Sequence, residues 1–189
     1  VFMDWFLPGY KAGGPIRSVA NMVRALSEDF DFYIVTRNTD LSDDEPYKEV
    51  EPNKWHNKYN AHVYYLSADN YSKDTIKKLI GERKYDVMYL NSLYSSQYAL
   101  TPLRIRNKHF PDLKMVLAPR GMLGEGALQT KSLKKAVFLK TTKLFQFFKN
   151  ITWHATSEDE KNRISKTFGS NAKIIVGAPI SIPVKFDAT

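Results

Sequence analysis

Short apolar runs alternate along the chain with stretches whose apolar residues recur at helical spacing. The runs cover 30–36, 61–66, 85–90, 114–118, 151–156 and 173–176. They are rich in β-branched and aromatic residues, and several are too continuously apolar for a half-exposed strand. Strands covered on both faces have this signature. Between them, Ile16, Val19, Val23 and Leu26 repeat at helical spacing within 15–28. Ile76, Leu79 and Ile80 stand opposite Lys73, Lys77 and Lys78 within 72–83, and helical patterns also run over 132–148 and 158–167. Alternation with crossovers of this length predicts right-handed βαβ units. The expected fold class is therefore α/β, a doubly wound parallel sheet with helices on both faces.

Two stretches depart from the rhythm. Residues 38–60 carry Asp40, Asp43, Asp44, Glu45, Glu49 and Glu51 with Pro46, Pro52 and Trp55, and have no periodic pattern. A connection this long predicts a functional loop or a mobile insertion. Residues 177–183 are Gly- and Pro-bearing and read as an interdomain linker. The expected organisation is one domain over 1–178, the start of a linker over 179–189, and a second domain beyond it. Residues 1–7 lack a basic n-region and a full-length apolar core, so they read as the tail of a first strand rather than a signal peptide.

Composition narrows the function classes. A chain of 189 residues, 43% hydrophobic and 25% charged, suits one buried core. The absence of cysteine excludes structural disulfides and thiolate metal sites, and fits a reducing cytoplasm. No apolar run approaches the roughly 20 residues that cross a bilayer. The net charge of +8 favours anionic partners without choosing among nucleic acid, phosphorylated ligands and acidic lipid.

Candidate chemistry begins at Gly13 and Gly14, between the first strand and the first helix. Both permit close backbone approach, and Pro15 suits the first helical turn. The amides of Ile16 and Arg17 are then expected to face the crevice at a positive helix end, which suits phosphate. An ordinary tight turn is the alternative. The spacing is neither G-x-G-x-x-G nor a P-loop, so a dinucleotide site and an NTPase are not supported. Arg120, at the end of a strand, suits a clamp on a phosphate or a sugar hydroxyl cluster, or a surface ion pair. Arg17 suits the same anion or a solvated helix face. Asn91 and Ser92 suit a sugar contact or a helix cap. His154 reads as a hydrogen-bonded core residue, and Ser157 with Glu160 as a capping box. No catalytic triad, metal-ligand cluster or spaced carboxylate pair occurs.

Residues 6–18, reading Phe-Leu-Pro-Gly-Tyr-Lys-Ala-Gly-Gly-Pro-Ile-Arg-Ser, resemble the opening of bacterial glycosyltransferases of family 4 (group 1). Asn91-Ser92, the run from Ala118 to Leu123 and the run from Trp153 to Ser157 agree with that subgroup, in the expected order. The resemblance extends over essentially the whole chain. It implies the N-terminal, acceptor-side Rossmann-like domain of a two-domain GT-B enzyme. Such an enzyme moves a sugar from a nucleotide-sugar to a glycan or lipid-linked acceptor in surface polysaccharide synthesis, with retention and with no metal or other cofactor. Gly13 and Gly14 match the glycine loop beside the donor diphosphate, and Arg120 and Gly121 match the family's Pro-Arg-Gly. Asn91 departs from the histidine that many relatives place there, which puts a histidine role at that point in doubt. Most donor contacts belong to the C-terminal domain, so turnover by this chain alone is not expected.

Residues 131–149 form the most basic stretch, with Leu133, Val137, Leu144 and Phe148 on one predicted face. Lys131, Lys134 and Lys135 suit an anionic membrane surface, which predicts peripheral attachment to the inner face of the membrane. A solvated lysine face is the alternative. Two rival functions remain at this level. One is another GT-B enzyme, such as a sugar-nucleotide epimerase. The other is a non-catalytic basic module; no recognition motif accompanies its charge, so nucleic acid is not expected as a partner.

Overall fold

The computed structural model describes residues 1–124, 142 and 147–181. In chain order the elements are α1 (Gly14–Leu26), β1 (Tyr33–Arg37), β2 (Trp55–Lys58), β3 (Ala61–Leu66), α2 (Lys73–Gly81) and β4 (Val87–Leu90). They continue with a π-helical turn (Ser96–Leu100) leading into α3 (Thr101–His109), then β5 (Lys114–Leu117), β6 (Thr152–Ala155), α4 (Glu158–Phe168) and β7 (Ile174–Val176). Most of the predicted helix over 132–148, and Lys131, Lys134 and Lys135, which are expected to face a membrane, lie outside the described residues.

β4, β5, β6 and β7 form a four-stranded parallel sheet in that order. β1 pairs with β3 in parallel, and β2 pairs with the far side of β3 in antiparallel. The N-terminal segment joins the two sets. Val35 donates its N–H to Val1 O at 2.9 Å and Met3 donates to Val35 O at 3.2 Å. On its other side, Phe2 donates to Tyr89 O at 2.8 Å and Asn91 donates to Phe2 O at 3.1 Å. Phe2 thus bridges β1 and β4, both in parallel sense, and the expected first strand is present in reduced form.

Alternate residues of one strand point to opposite faces, and here both faces are packed. Met3, Ile34, Val63 and Tyr65 join Val19 and Val23 of α1 in one buried cluster. Phe2, Val35, Tyr64 and Leu66 join Ile76 of α2, Leu103 of α3 and Ile164 of α4 in another. Burying such a side chain contributes about 1.5–3 kcal/mol, so the near-continuous apolar strands follow from cover on both sides. The architecture is α/β with a parallel four-stranded sheet and helices, compatible with a Rossmann-like fold.

Two elements differ from the sequence expectation. Within 38–60, Trp55–Lys58 is a strand that runs antiparallel along β3. The helical stretch 96–109 is absent from the apolar pattern, because Pro102 and the basic residues Arg104, Arg106 and Lys108 obscure its spacing. Arg106 is buried there and donates its Nε–H to Leu113 O at 2.6 Å, closing the turn into β5. Among the described residues, no helix is long and apolar enough to cross a membrane.

Candidate functional site

The glycine loop leaves the N-terminal segment and enters α1. Gly13 stands at the N-cap with φ 66, a left-handed conformation that favours glycine. A glycine has no side chain with which to cap, and no side-chain hydrogen bond caps this helix. Gly13 N–H is occupied by Tyr10 O at 2.9 Å. Arg17 N–H donates to Gly13 O at 3.2 Å, so the Arg17 amide does not face the crevice as expected; it closes the first helical turn. The first-turn amides of Gly14 and Ile16 have no intrahelical acceptor, and Pro15 between them has no N–H. The result is an uncapped positive helix end. A Cβ added at Gly13 or Gly14 would meet nothing within 4 Å, so the space above the loop is open. The Arg17 side chain is exposed.

Apart from β2, the strands from the N-terminal segment to β7 run parallel, so their carboxyl ends share one edge. Asn91 follows β4, Arg120 follows β5 and the glycine loop follows the N-terminal segment. β4 lies between the other two, which places their parent strands about 10 Å apart. Arg120 has φ 54 and Gly121 φ 75. A positive φ is uncommon for arginine and persists only where the surroundings hold it. Arg120 Nε donates to Asn91 Oδ1 at 2.7 Å, and Arg120 NH2 donates to Tyr89 Oη at 3.0 Å. Gly121 N–H donates to Glu160 Oε1 at 2.6 Å. The Asn91 side chain is buried, and its Nδ2 has no hydrogen-bond partner. Asn91 and Ser92 do not cap a helix: Ser95 caps the π-helical turn, and Ser92 Oγ accepts from Ser95 N–H at 3.3 Å.

Glu160 and Tyr89, which the sequence does not single out as site residues, complete this arrangement. Glu160 is buried at the start of α4, and its Oε2 accepts from Thr156 N–H and Thr156 Oγ1, each at 2.7 Å. Ser157 caps α4 by accepting Glu160 N–H at 3.2 Å, as the capping box predicts. The Glu160 side chain does not complete that box; it ties α4 to the turn after β5. Tyr89 Oη lies 2.8 Å from His154 Nδ1, and His154 Nε2 lies 2.9 Å from Gly177 O. A carbonyl only accepts, so Nε2 carries a proton, and in the neutral imidazole the Tyr89 hydroxyl donates to Nδ1. Burial raises the Tyr89 hydroxyl above its usual pKa, with Arg120 opposing and Glu160 adding to the rise. It therefore stays protonated and able to donate. His154 is a hydrogen-bonded structural residue.

On the other side of the glycine loop, Asp40 Oδ2 accepts from Tyr10 N–H at 2.8 Å and Lys11 N–H at 3.2 Å. Asp40 Oδ1 accepts from Leu41 N–H at 2.7 Å. Burial works to raise the Asp40 pKa, but these amides and Lys11 outweigh it and hold the carboxyl below its ordinary value. Lys11 also pairs with Asp43. The acidic cluster thus contributes one buried anchor for the loop. In sequence, Asp40 is indistinguishable from its solvated neighbours.

Among the described residues, no group of histidine, cysteine, aspartate or glutamate side chains is arranged to hold a metal ion. A cavity of about 1130 Å³ lies at the opposite edge of the sheet, lined by Lys114, Thr152 and Lys173 near the starts of strands. Open parallel sheets bind ligands outside the carboxyl ends of strands, so the loops described here form the better candidate. No protein-family model, no curated protein and no solved structure matches the chain.

Proposed function

We propose that the chain is the acceptor-side, doubly wound Rossmann-like domain of a retaining GT-B glycosyltransferase that uses a nucleotide-sugar donor and a glycan or lipid-linked acceptor in the cytoplasm. One observation carries the reading: an uncapped helix end at Gly13–Gly14 shares the carboxyl edge of the sheet with a guanidinium, Arg120, held in left-handed backbone by buried partners. Helix amides and a fixed guanidinium are what a diphosphate leaving group requires. The strand order supports the doubly wound arrangement. With the N-terminal segment between β1 and β4, the sheet runs outward in both directions from that segment, and its crevice lies where the order reverses.

In this reading Gly14, Ile16 and Arg120 stabilise charge on the departing nucleotide diphosphate. Asn91 holds Arg120. The bond from the anomeric carbon to the diphosphate breaks as the bond to an acceptor hydroxyl oxygen forms, and the hydroxyl proton leaves with the diphosphate. Lys131, Lys134 and Lys135 hold the enzyme on anionic membrane where the acceptor is lipid-linked.

The test is nucleotide release from UDP-, GDP- and ADP-sugars in EDTA, by a chain extended past Thr189 to include a donor domain. Release abolished by Gly14→Val and by Arg120→Ala supports the transferase. Absence of release from every donor, with lipid-linked acceptors supplied, would transfer the assignment to a binding module. Pelleting with anionic liposomes that fails on neutralising Lys131, Lys134 and Lys135 supports the membrane role, and no pelleting of the parent chain removes it.

A further inference from the structure

A second polar cluster lies at the same edge of the sheet, beyond the glycine loop. Arg37 ends β1, Asp4 ends the N-terminal segment, and Gln97 and Tyr98 come from the π-helical turn after β4. Arg37 NH2 donates to Gln97 Oε1 at 2.6 Å and lies 3.5 Å from Asp4 Oδ1. Ser95 Oγ donates to the same Asp4 oxygen at 2.9 Å. The guanidinium carbon lies 5.2 Å from the Tyr98 ring centroid and 5.7 Å from that of Trp5. Tyr71 Oη donates to Gln97 O at 2.9 Å and fixes the turn.

Three features set this cluster apart from an ordinary buried ion pair. Arg37 Nε is buried and has no hydrogen-bond partner, although an unmet buried donor costs about 1–3 kcal/mol. A cavity of about 50 Å³ adjoins it, lined by Arg37, Asn38, Thr39, Tyr71, Gln97 and Tyr98 among others. That is room for roughly three or four water-sized groups. The third feature is the π-helical turn itself, a rare backbone form that recurs at functional sites.

We infer that this niche is a sugar subsite, which takes neighbouring hydroxyls of an uncharged pyranose. A hydroxyl oxygen can accept from Arg37 Nε without bringing a charge to a guanidinium that already lies 3.5 Å from Asp4 Oδ1. A ligand carboxylate or phosphate would satisfy the arginine but face the Asp4 carboxylate. The Tyr71 and Tyr98 rings, which line the cavity, supply apolar surface beside these polar groups. The identification of this sugar as the transferase acceptor rests on the function proposed above; the subsite itself does not.

Saturation-transfer NMR of the chain with methyl α-glucoside, methyl α-mannoside, methyl α-galactoside and glucuronate tests the inference. At least one neutral glycoside is expected to show transfer. Arg37→Lys keeps the charge beside Asp4 but removes the Nε–H, and is expected to weaken that binding about tenfold. Gln97→Ala, which frees the guanidinium from its anchor, is expected to act in the same direction should Arg37→Lys fail to fold. Arg24→Ala, at an exposed position of α1, is expected to leave the glycoside signal unchanged. No transfer to any neutral glycoside, preferential binding of glucuronate, or a signal indifferent to both niche variants would overturn the subsite. Glycoside binding without nucleotide release from any donor would keep the subsite and remove its acceptor role; nucleotide release without glycoside binding would do the reverse.

Discussion

Glu160 Oε1 accepts the N–H of Gly121 at 2.6 Å, across 39 residues of sequence. One buried carboxylate thereby holds the turn after β5 against the first turn of α4. Its removal leaves the amides of Gly121 and Thr156 and the Thr156 hydroxyl without their acceptor. Glu160→Ala is expected to cost about 3 kcal/mol or more in urea unfolding, since bonds to a charged group contribute ~1.5–3 kcal/mol each and unmet donors add to the loss. Glu160→Gln keeps one acceptor oxygen and is expected to cost less. Equal losses for the two would show that the charge and bond count do not matter there.

Gly13 and Gly14 separate stability from ligand contact. Neither has an atom within 4 Å of an added Cβ, but only Gly13 has a positive φ. Gly13→Ala is expected to lower stability by about 1 kcal/mol through backbone strain. Gly14→Ala sits in the first helical turn and is expected to stay within about 0.5 kcal/mol of the parent. A loss of nucleotide-sugar affinity in Gly14→Ala at unchanged melting temperature would locate the diphosphate at the helix end. Unchanged affinity in both variants would make the loop a turn and nothing more.

Asp40 gives the glycine loop an acid limit. Its folded pKa lies below the ordinary 3.8, so its contribution is complete above that value and is lost as pH falls through the lower folded value. Stability measured by urea unfolding is expected to hold between neutrality and about pH 4 as far as this group is concerned, then to fall. In Asp40→Asn that acid limb should be shallower and the plateau lower. A parallel displacement of the whole profile, with the limb unchanged, would exclude Asp40 as its source.

The buried tyrosines set the alkaline limit. Burial raises Tyr47, Tyr65 and Tyr98 far above 10, and pushes Tyr85 up to about 12, with Glu82 adding to the rise and Arg83 opposing it. A raised folded pKa stabilises fully below the unfolded value and is lost as pH rises beyond it, so melting temperature should fall from about pH 10 upward. Tyr65 donates to Leu7 O at 2.7 Å. Tyr65→Phe should therefore lose about 1 kcal/mol at neutral pH yet decline less steeply in alkali. A steeper alkaline decline in the variant would contradict this account.

The legible parts of the fold are those where a local period records burial. Ile16, Val19 and Val23 mark the buried face of α1, and Ile76, Leu79 and Ile80 that of α2. β2 is not legible because Trp55, His56, Asn57 and Lys58 have no alternation, and β3 alone dictates their pairing. At the candidate site, Gly13, Gly14 and Gly121 announce themselves as turn residues, and Arg120 stands beside one. Tyr89 and His154 are 65 residues apart, and only the adjacency of β4, β5 and β6 brings them together. Asp4 and Arg37 likewise meet through strand order, so neither carries a local signal.

With a neutral His154 ring, the hydrogen bonds from Arg120 through Tyr89 and His154 to the Gly177 carbonyl run in one sense. A guanidinium has nothing but protons to give, and a carbonyl has nothing but lone pairs, so a neutral imidazole between them accepts from Tyr89 and donates to Gly177. Every dipole in the row points the same way, and each polarises the next. An anion held by Arg120 therefore alters the electrostatic potential at the carbonyl of Gly177, where the chain leaves its last described strand.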